Sequence, residues 1–126
     1  MPSILCVDDE PTQLILLKFA FERAGFTVIS AANGTEAVQI AKENRPDIIL
    51  MDLMMPVKDG YETTVELKAL PELAGTPIVL YTAYDRSDSA RAALKAGAAD
   101  IVRKSTTPKV LVSKINELLA ANRARG

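Results

Sequence analysis

Histidine and tryptophan are absent from the 126 residues, cysteine occurs once, and the aromatics number three Phe and three Tyr. Without histidine, and with its single thiol inside an apolar run, the chain offers no set of soft ligands for zinc or copper. The lone Cys6 rules out an internal disulfide framework and fits a reducing, cytoplasmic setting. Its place in SILCV (residues 3–7) makes it a small buried hydrophobe rather than a reactive thiol. No apolar run approaches the roughly 20 residues of a membrane-spanning helix, and no signal-peptide pattern opens the chain. Fifteen Lys and Arg against 16 Asp and Glu give a net charge of −1, which leaves no electrostatic case for nucleic-acid binding. Only the end, Arg123 to Gly126, is locally basic, and it reads as a solvated tail. Internal repeats and low-complexity segments are also missing.

What is present is a regular alternation, in a chain long enough to bury one core without staples. Strand-like runs cover 3–7, 26–30, 47–52, 77–82 and 100–104. Helical stretches cover 11–25, 33–46, 59–75, 87–98 and 108–125, with Pro11 suited to a first turn, Gly25 to an end and Pro71 to a stop. DIILMD (47–52) is nearly all apolar, as expected of a strand covered on both faces. Five βα units in strict alternation predict a single α/β domain over residues 1–126: a doubly wound, five-stranded parallel sheet of order 2-1-3-4-5.

In such a sheet, ligands bind beyond the carboxyl ends of the strands, where the order reverses. The first strand ends in Asp8 and Asp9, the third in Asp52, the fourth in Thr82 and the fifth in Lys104. Repulsion among the three carboxylates calls for a cation, and an all-oxygen set suits Mg²⁺ or Mn²⁺. Each residue has a plainer role: acids favour a helix start, Asp52 could cap a turn, Thr82 suits a strand, and Lys104 could be a solvated charge. Their joint placement at one end of one sheet points instead to a site that holds a phosphoryl group.

The ordered set VDDE, DIILMDLMMPVKDG, VLYTA and KAGAADIVRK resembles the receiver domain of two-component response regulators over essentially the whole chain. That resemblance implies the flavodoxin-like (βα)5 fold and a phosphoacceptor rather than an enzyme acting on a small substrate. Asp52 would accept the phosphoryl group, and Asp9, Asp52 and the Met54 carbonyl would bind Mg²⁺. Asp8 would act through metal-bound water, Thr82 would hydrogen-bond the phosphoryl oxygens, and Lys104 would pair with the phosphate. Because the chain has no histidine, a phosphohistidine donor must come from a histidine kinase or histidine phosphotransfer protein. The surface of the fourth strand, fourth helix and fifth strand would carry output to a downstream protein. A stand-alone receiver is expected from Met1 and from the end just after the fifth helix, although an excised fragment would look the same.

Two positions depart from the family pattern. Ser105 follows the lysine where a proline, often cis, is usual; a cis Lys–Ser bond costs a few kcal/mol more than cis Lys–Pro, so the isomer stays open. Ile101 stands where the switch aromatic normally lies. Two bulky residues, Met54 and Tyr84, occupy the positions that flank the approach of hydrolytic water in the family, predicting a long-lived phosphorylated state. Two other classes remain as alternatives. A haloacid-dehalogenase-like phosphatase also uses an aspartyl nucleophile, but the second acid it usually carries two residues later is Met54 here. A flavodoxin-like nucleotide binder lacks support because no Gly-rich phosphate loop follows the first strand. The first helix is apolar at seven of eight positions from Leu14 to Phe21, wider than the stripe one sheet face can bury. Placing Leu16, Leu17, Ala20, Phe21 and Ala24 toward the core leaves Ile15 and Phe19 exposed, as a docking surface or a dimer interface.

Overall fold

The computed structural model describes residues 1–125; Gly126, the last residue of the basic tail, lies outside the described residues. Five strands, β1 (Ser3–Val7), β2 (Thr27–Ala31), β3 (Ile48–Asp52), β4 (Ile78–Thr82) and β5 (Asp100–Arg103), form one parallel sheet of order β2-β1-β3-β4-β5. Helices α1 (Pro11–Arg23), α2 (Gly34–Asn44), α3 (Gly60–Lys68), α4 (Asp88–Lys95) and α5 (Pro108–Arg125) follow the strands in turn. The expected α/β topology is therefore the observed one.

Local chemistry sets the boundaries. Pro11 occupies the first turn of α1, where a missing N–H costs nothing. At the other end, the Phe26 amide donates to the Phe21 carbonyl and the Gly25 amide to Glu22, with Gly25 at φ +93°. This is a Schellman stop, and its hydrophobic closure is the edge-on pair Phe21–Phe26, 5.2 Å between centroids. Phe26 thus belongs to the turn, and β2 starts one residue later than the apolar run predicts. Asn33 caps α2 by accepting from the Glu36 amide at 2.8 Å, and Asp59 with Glu62 builds a capping box on α3. Helix α3 ends at Lys68, shorter than the 59–75 stretch, because Pro71 opens a separate 3₁₀ turn.

Two buried clusters flank the sheet. Ile4, Cys6, Ile48, Leu50, Val79, Tyr81 and Val102 face α1 and α5, where Leu17, Phe21 and Ile115 meet them. Leu5, Val7, Ile49, Met51, Ile78 and Leu80 face α2, α3 and α4. Full burial of such a side chain contributes about 1.5–3 kcal/mol, so β3 and β4, buried at every position, anchor the fold. Cys6 is fully buried, and burial pushes its thiol up to about 12.

Helix α1 departs from expectation at two positions. Leu17 and Phe21 are buried and Ile15 and Phe19 are exposed as predicted, but Leu16 is 56 % exposed and Ala24 is also at the surface. The helix rests on the sheet through a narrower stripe because the space beside Leu16 is left open toward α5.

Candidate functional site

Strand alternation places the polar ends. Asp8 continues the Ile4–Cys6 side of β1, and Asp52 continues the Ile48–Leu50 side of β3, so both carboxylates emerge on the α1–α5 face. Oxygens of Asp8, Asp9 and Asp52 lie within 4.8 Å of one another, with Asp8 and Asp52 buried and Asp9 exposed. Lys104, directly after β5, sets its ammonium 3.0 Å from Asp52 Oδ2 and 3.6 Å from Asp8 Oδ2. Its amide donates to the Thr82 carbonyl at 3.0 Å, which continues the β4–β5 ladder one residue past the strand. Lys104 is thus a turn residue rather than the last residue of the strand predicted over 100–104.

The electrostatics follow from burial. Burial pushes the Asp52 carboxyl above the ordinary carboxylate range, and the charge of Asp8 adds to that push. The hydrogen bond and charge of Lys104 and the Met54 amide, 3.1 Å from Asp52 Oδ1, oppose it. For Lys104, partial burial lowers the ammonium, but the hydrogen bonds and charges of Asp52 and then Asp8 together outweigh it and hold it above the usual lysine value. One ammonium stands against Asp8 and Asp52 while Asp9 converges beside them, so acidic side chains outnumber basic ones in the cluster. Oxygen donors only, converging in a cleft open at Asp9, fit a hard divalent cation such as Mg²⁺.

Of the residues singled out in the sequence, Asp8, Asp9, Asp52 and Lys104 are brought together. Thr82 is fully buried at the end of β4, on the opposite parity, and its hydroxyl accepts from the Tyr84 amide at 3.1 Å. Met54 is 56 % exposed and Tyr84 67 % exposed, on the loops after β3 and β4. The Lys104–Ser105 bond is trans, as are all peptide bonds among the described residues.

Three geometric features add to the sequence reading. Tyr81 pairs with Asp52 in the β3–β4 register, and its buried hydroxyl donates to Asp8 Oδ2. Burial first, then Asp8, holds that phenol far above its ordinary range, so it stays a donor. The period-2 alternation of β4 marks the position, but only the register brings it opposite an acid. Gly60 presses on the site from behind: a Cβ there would lie 2.7 Å from the Asp52 carbonyl oxygen and 2.8 Å from Leu53 Cα. Val57 sits at φ +68°, closed by a Lys58 N–H to Pro56 carbonyl bond of 2.7 Å, a strained three-residue turn in the loop beside Asp52.

Comparison with known proteins points the same way. The family model of the response regulator receiver domain matches residues 4–116. The chain is 33 % identical over 120 residues to Protein PilH of Pseudomonas aeruginosa, covering 95 % of this chain and 99 % of PilH. It superposes on a CheY-like receiver domain protein from Methanospirillum hungatei with TM-score 0.94 at 27 % identity, covering 100 % of this chain and 99 % of that one. The receiver domain of a sensor histidine kinase from Pseudomonas aeruginosa PAO1, solved with a magnesium ion coordinated in its active-site cleft, gives TM-score 0.87 at 30 % identity over 94 % of this chain and 98 % of that one. The chain also spans about half the length of several transcriptional regulatory proteins that it matches. These relationships give the phosphatase alternative no support. With matching sequence, matching topology and an acidic cleft at the switch point of the sheet, the chain belongs to the response regulator receiver family of two-component signalling.

Proposed function

We propose that this receiver is a phosphoacceptor switch in which Asp52 takes a phosphoryl group from a phosphohistidine on a separate histidine kinase or phosphotransfer protein. The observation that carries this reading is the convergence of three carboxylates on one cleft with Lys104 3.0 Å from Asp52. A Mg²⁺ or Mn²⁺ ion, when bound by Asp9, Asp52 and the Met54 carbonyl with Asp8 engaged through water, would neutralise the oxygens of the transferring group. An Asp52 oxygen attacks phosphorus as the bond to the donor nitrogen breaks; with the donor ring protonated on its other nitrogen, the products are an aspartyl phosphate and a neutral imidazole. Lys104, released from the free carboxylate, pairs with the phosphoryl oxygens. Thr82 leaves the Tyr84 amide to donate to the same group, drawing the loop before α4 inward. The Asp85–Arg103 ion pair, 3.0 Å long, links that loop to β5 and so spreads the change across the β4-α4-β5 surface, toward a downstream protein.

Helix α1 supports docking of the donor. Ile15, Leu16 and Phe19 are exposed together, and a groove of about 670 Å³ runs from Leu16 and Phe19 to Pro108 and Val112 beside Lys104. The chain acts as a protein partner rather than as an enzyme on a small substrate. A cytoplasmic setting fits its kinase-facing role and its buried free thiol.

Incubation with Mg²⁺ and a small phosphodonor, read by intact mass, tests the reading. One phosphoryl addition is expected, lost on chelation and in Asp52→Asn. Full labelling of Asp52→Asn would overturn the assignment, and continuous phosphate release from many substrates would favour a phosphatase.

A further inference from the structure

Asp8 is a fully buried carboxylate with a donor on each oxygen: the Glu10 amide at 2.9 Å on Oδ1 and the Tyr81 hydroxyl on Oδ2. Tyr81 is 2 % exposed, lies opposite Asp52 in the sheet, and carries the Lys104 ammonium 5.1 Å above its ring centroid. A single side chain thus touches two members of the site through two different groups.

We propose that Tyr81 is a positioning residue with two separable roles: its hydroxyl fixes the Asp8 carboxylate for the magnesium site, and its ring is the shelf that holds Lys104 against Asp52. This rests on the magnesium-dependent reading given above. The argument is one of competition. Lys104 already lies 3.6 Å from Asp8 Oδ2, the same oxygen that Tyr81 occupies. Without the hydroxyl, the next donor for that oxygen is the lysine. A closer Lys104–Asp8 pair would turn Asp8 away from the cation and draw the ammonium away from Asp52. Partners that orient metal-site carboxylates commonly change affinity by about 10- to 100-fold when removed. The ring acts independently of the hydroxyl, because a cation over an aromatic face is attracted whether or not the ring carries oxygen.

Two variants divide the roles. Tyr81→Phe keeps the shelf and loses the hydroxyl; Tyr81→Leu loses both. Calorimetric titration with Mg²⁺ should show about tenfold weaker binding in Tyr81→Phe. Labelling of Asp52 by a small phosphodonor at saturating Mg²⁺ should be several-fold slower in Tyr81→Leu than in Tyr81→Phe. Thermal melts in chelator verify that each variant folds. A second measurement needs no change at Tyr81: in a Tyr84→Phe background, Mg²⁺ should produce a tyrosine absorbance difference that saturates with the calorimetric Kd. A Kd for Tyr81→Phe within about twofold of the parent, or no absorbance difference, would overturn the hydroxyl's role. Equal labelling of the Phe and Leu variants would overturn the shelf. If the parent itself fails to bind Mg²⁺, the magnesium reading falls and this inference with it; if the parent binds, Asp9→Asn does not and Tyr81→Phe matches the parent, only the inference falls.

Discussion

The two faces of the sheet differ in chemistry although both are packed with aliphatic side chains. On the α1–α5 side, the strand ends carry Asp8, Asp52, Tyr81 and Lys104, and the neighbouring helix leaves Ile15, Leu16 and Phe19 in solvent. On the α2–α3–α4 side, Leu80 and Ile101 continue an apolar core with the small residues Ala90 and Ala93, and Thr82 ends the strand with its hydroxyl turned to the loop before α4. In the proposed function, one face would receive a charged group and its donor, and the other would sense it. Tyr81, which touches the carboxylate cluster, and Thr82, which faces the loop before α4, are neighbours in β4 on opposite sides of the sheet. A small displacement of β4's end can therefore link them without a long chain of intermediates.

The strongest test of that division is to disable the receiving face alone. Changing Ile15 and Phe19 together to glutamine should reduce transfer from a phosphohistidine donor by about tenfold or more, because exposed apolar anchors dominate such contacts, while labelling by a small phosphodonor stays normal. Equal loss of both would point to misfolding and break the comparison. At the mouth between the faces, Met54→Glu should accelerate loss of the phosphoryl group several-fold by supplying a carboxylate that orients water, measured as phosphate release after donor removal. No change would count against shielding by Met54.

The sensing face is sharpened by hydrogen exchange. A beryllofluoride mimic of the aspartyl phosphate should alter protection within residues 82–104 and leave strand β1 unaffected. Unchanged exchange there would mean that phosphorylation is stored but not transmitted, and the domain would act as a phosphate sink. The smallest expected effect is on pH dependence. Because burial raises the Asp52 carboxyl above its unfolded value, the native state holds that proton to higher pH than the unfolded chain. Between the two values the native state binds more protons, so this group's contribution to stability falls as pH rises through the carboxylate range. Melting in chelator should show that decline, and Asp52→Asn should lack it and melt higher at neutral pH.

Much of the fold was legible because alternation of apolar runs with capped helical stretches leaves few topologies open. Asn33, Asp59 and Ser87 cap helices at the starts their residue types suggest. The acids, Thr82 and Lys104 were placed correctly at the carboxyl ends of strands because the switch-point rule needs only element order. What the rule does not supply is the direction in which each end points. Thr82 and Tyr81 are adjacent in VLYTA, yet only the tyrosine reaches the carboxylates, since side chains alternate across the sheet and the Asp52–Tyr81 register fixes which parity faces α1 and α5.

Helix α1 shows the same limit in another form. Its apolar excess declared that something beyond the stripe had to be uncovered, but Leu16 and Ala24 were expected inward and lie outward, because α5 stands far enough away to leave a groove. Gly60, the last residue of DIILMDLMMPVKDG, lets α3 start against the Asp52 carbonyl, a close approach that no local pattern encodes. Periodicity and local hydrogen bonding set the βα alternation, the helix caps and the kinds of residue gathered at the sheet's end, and all three can be read along the chain. Which neighbours those residues meet depends on register, side-chain parity and helix spacing, which arise from packing between segments far apart in the chain.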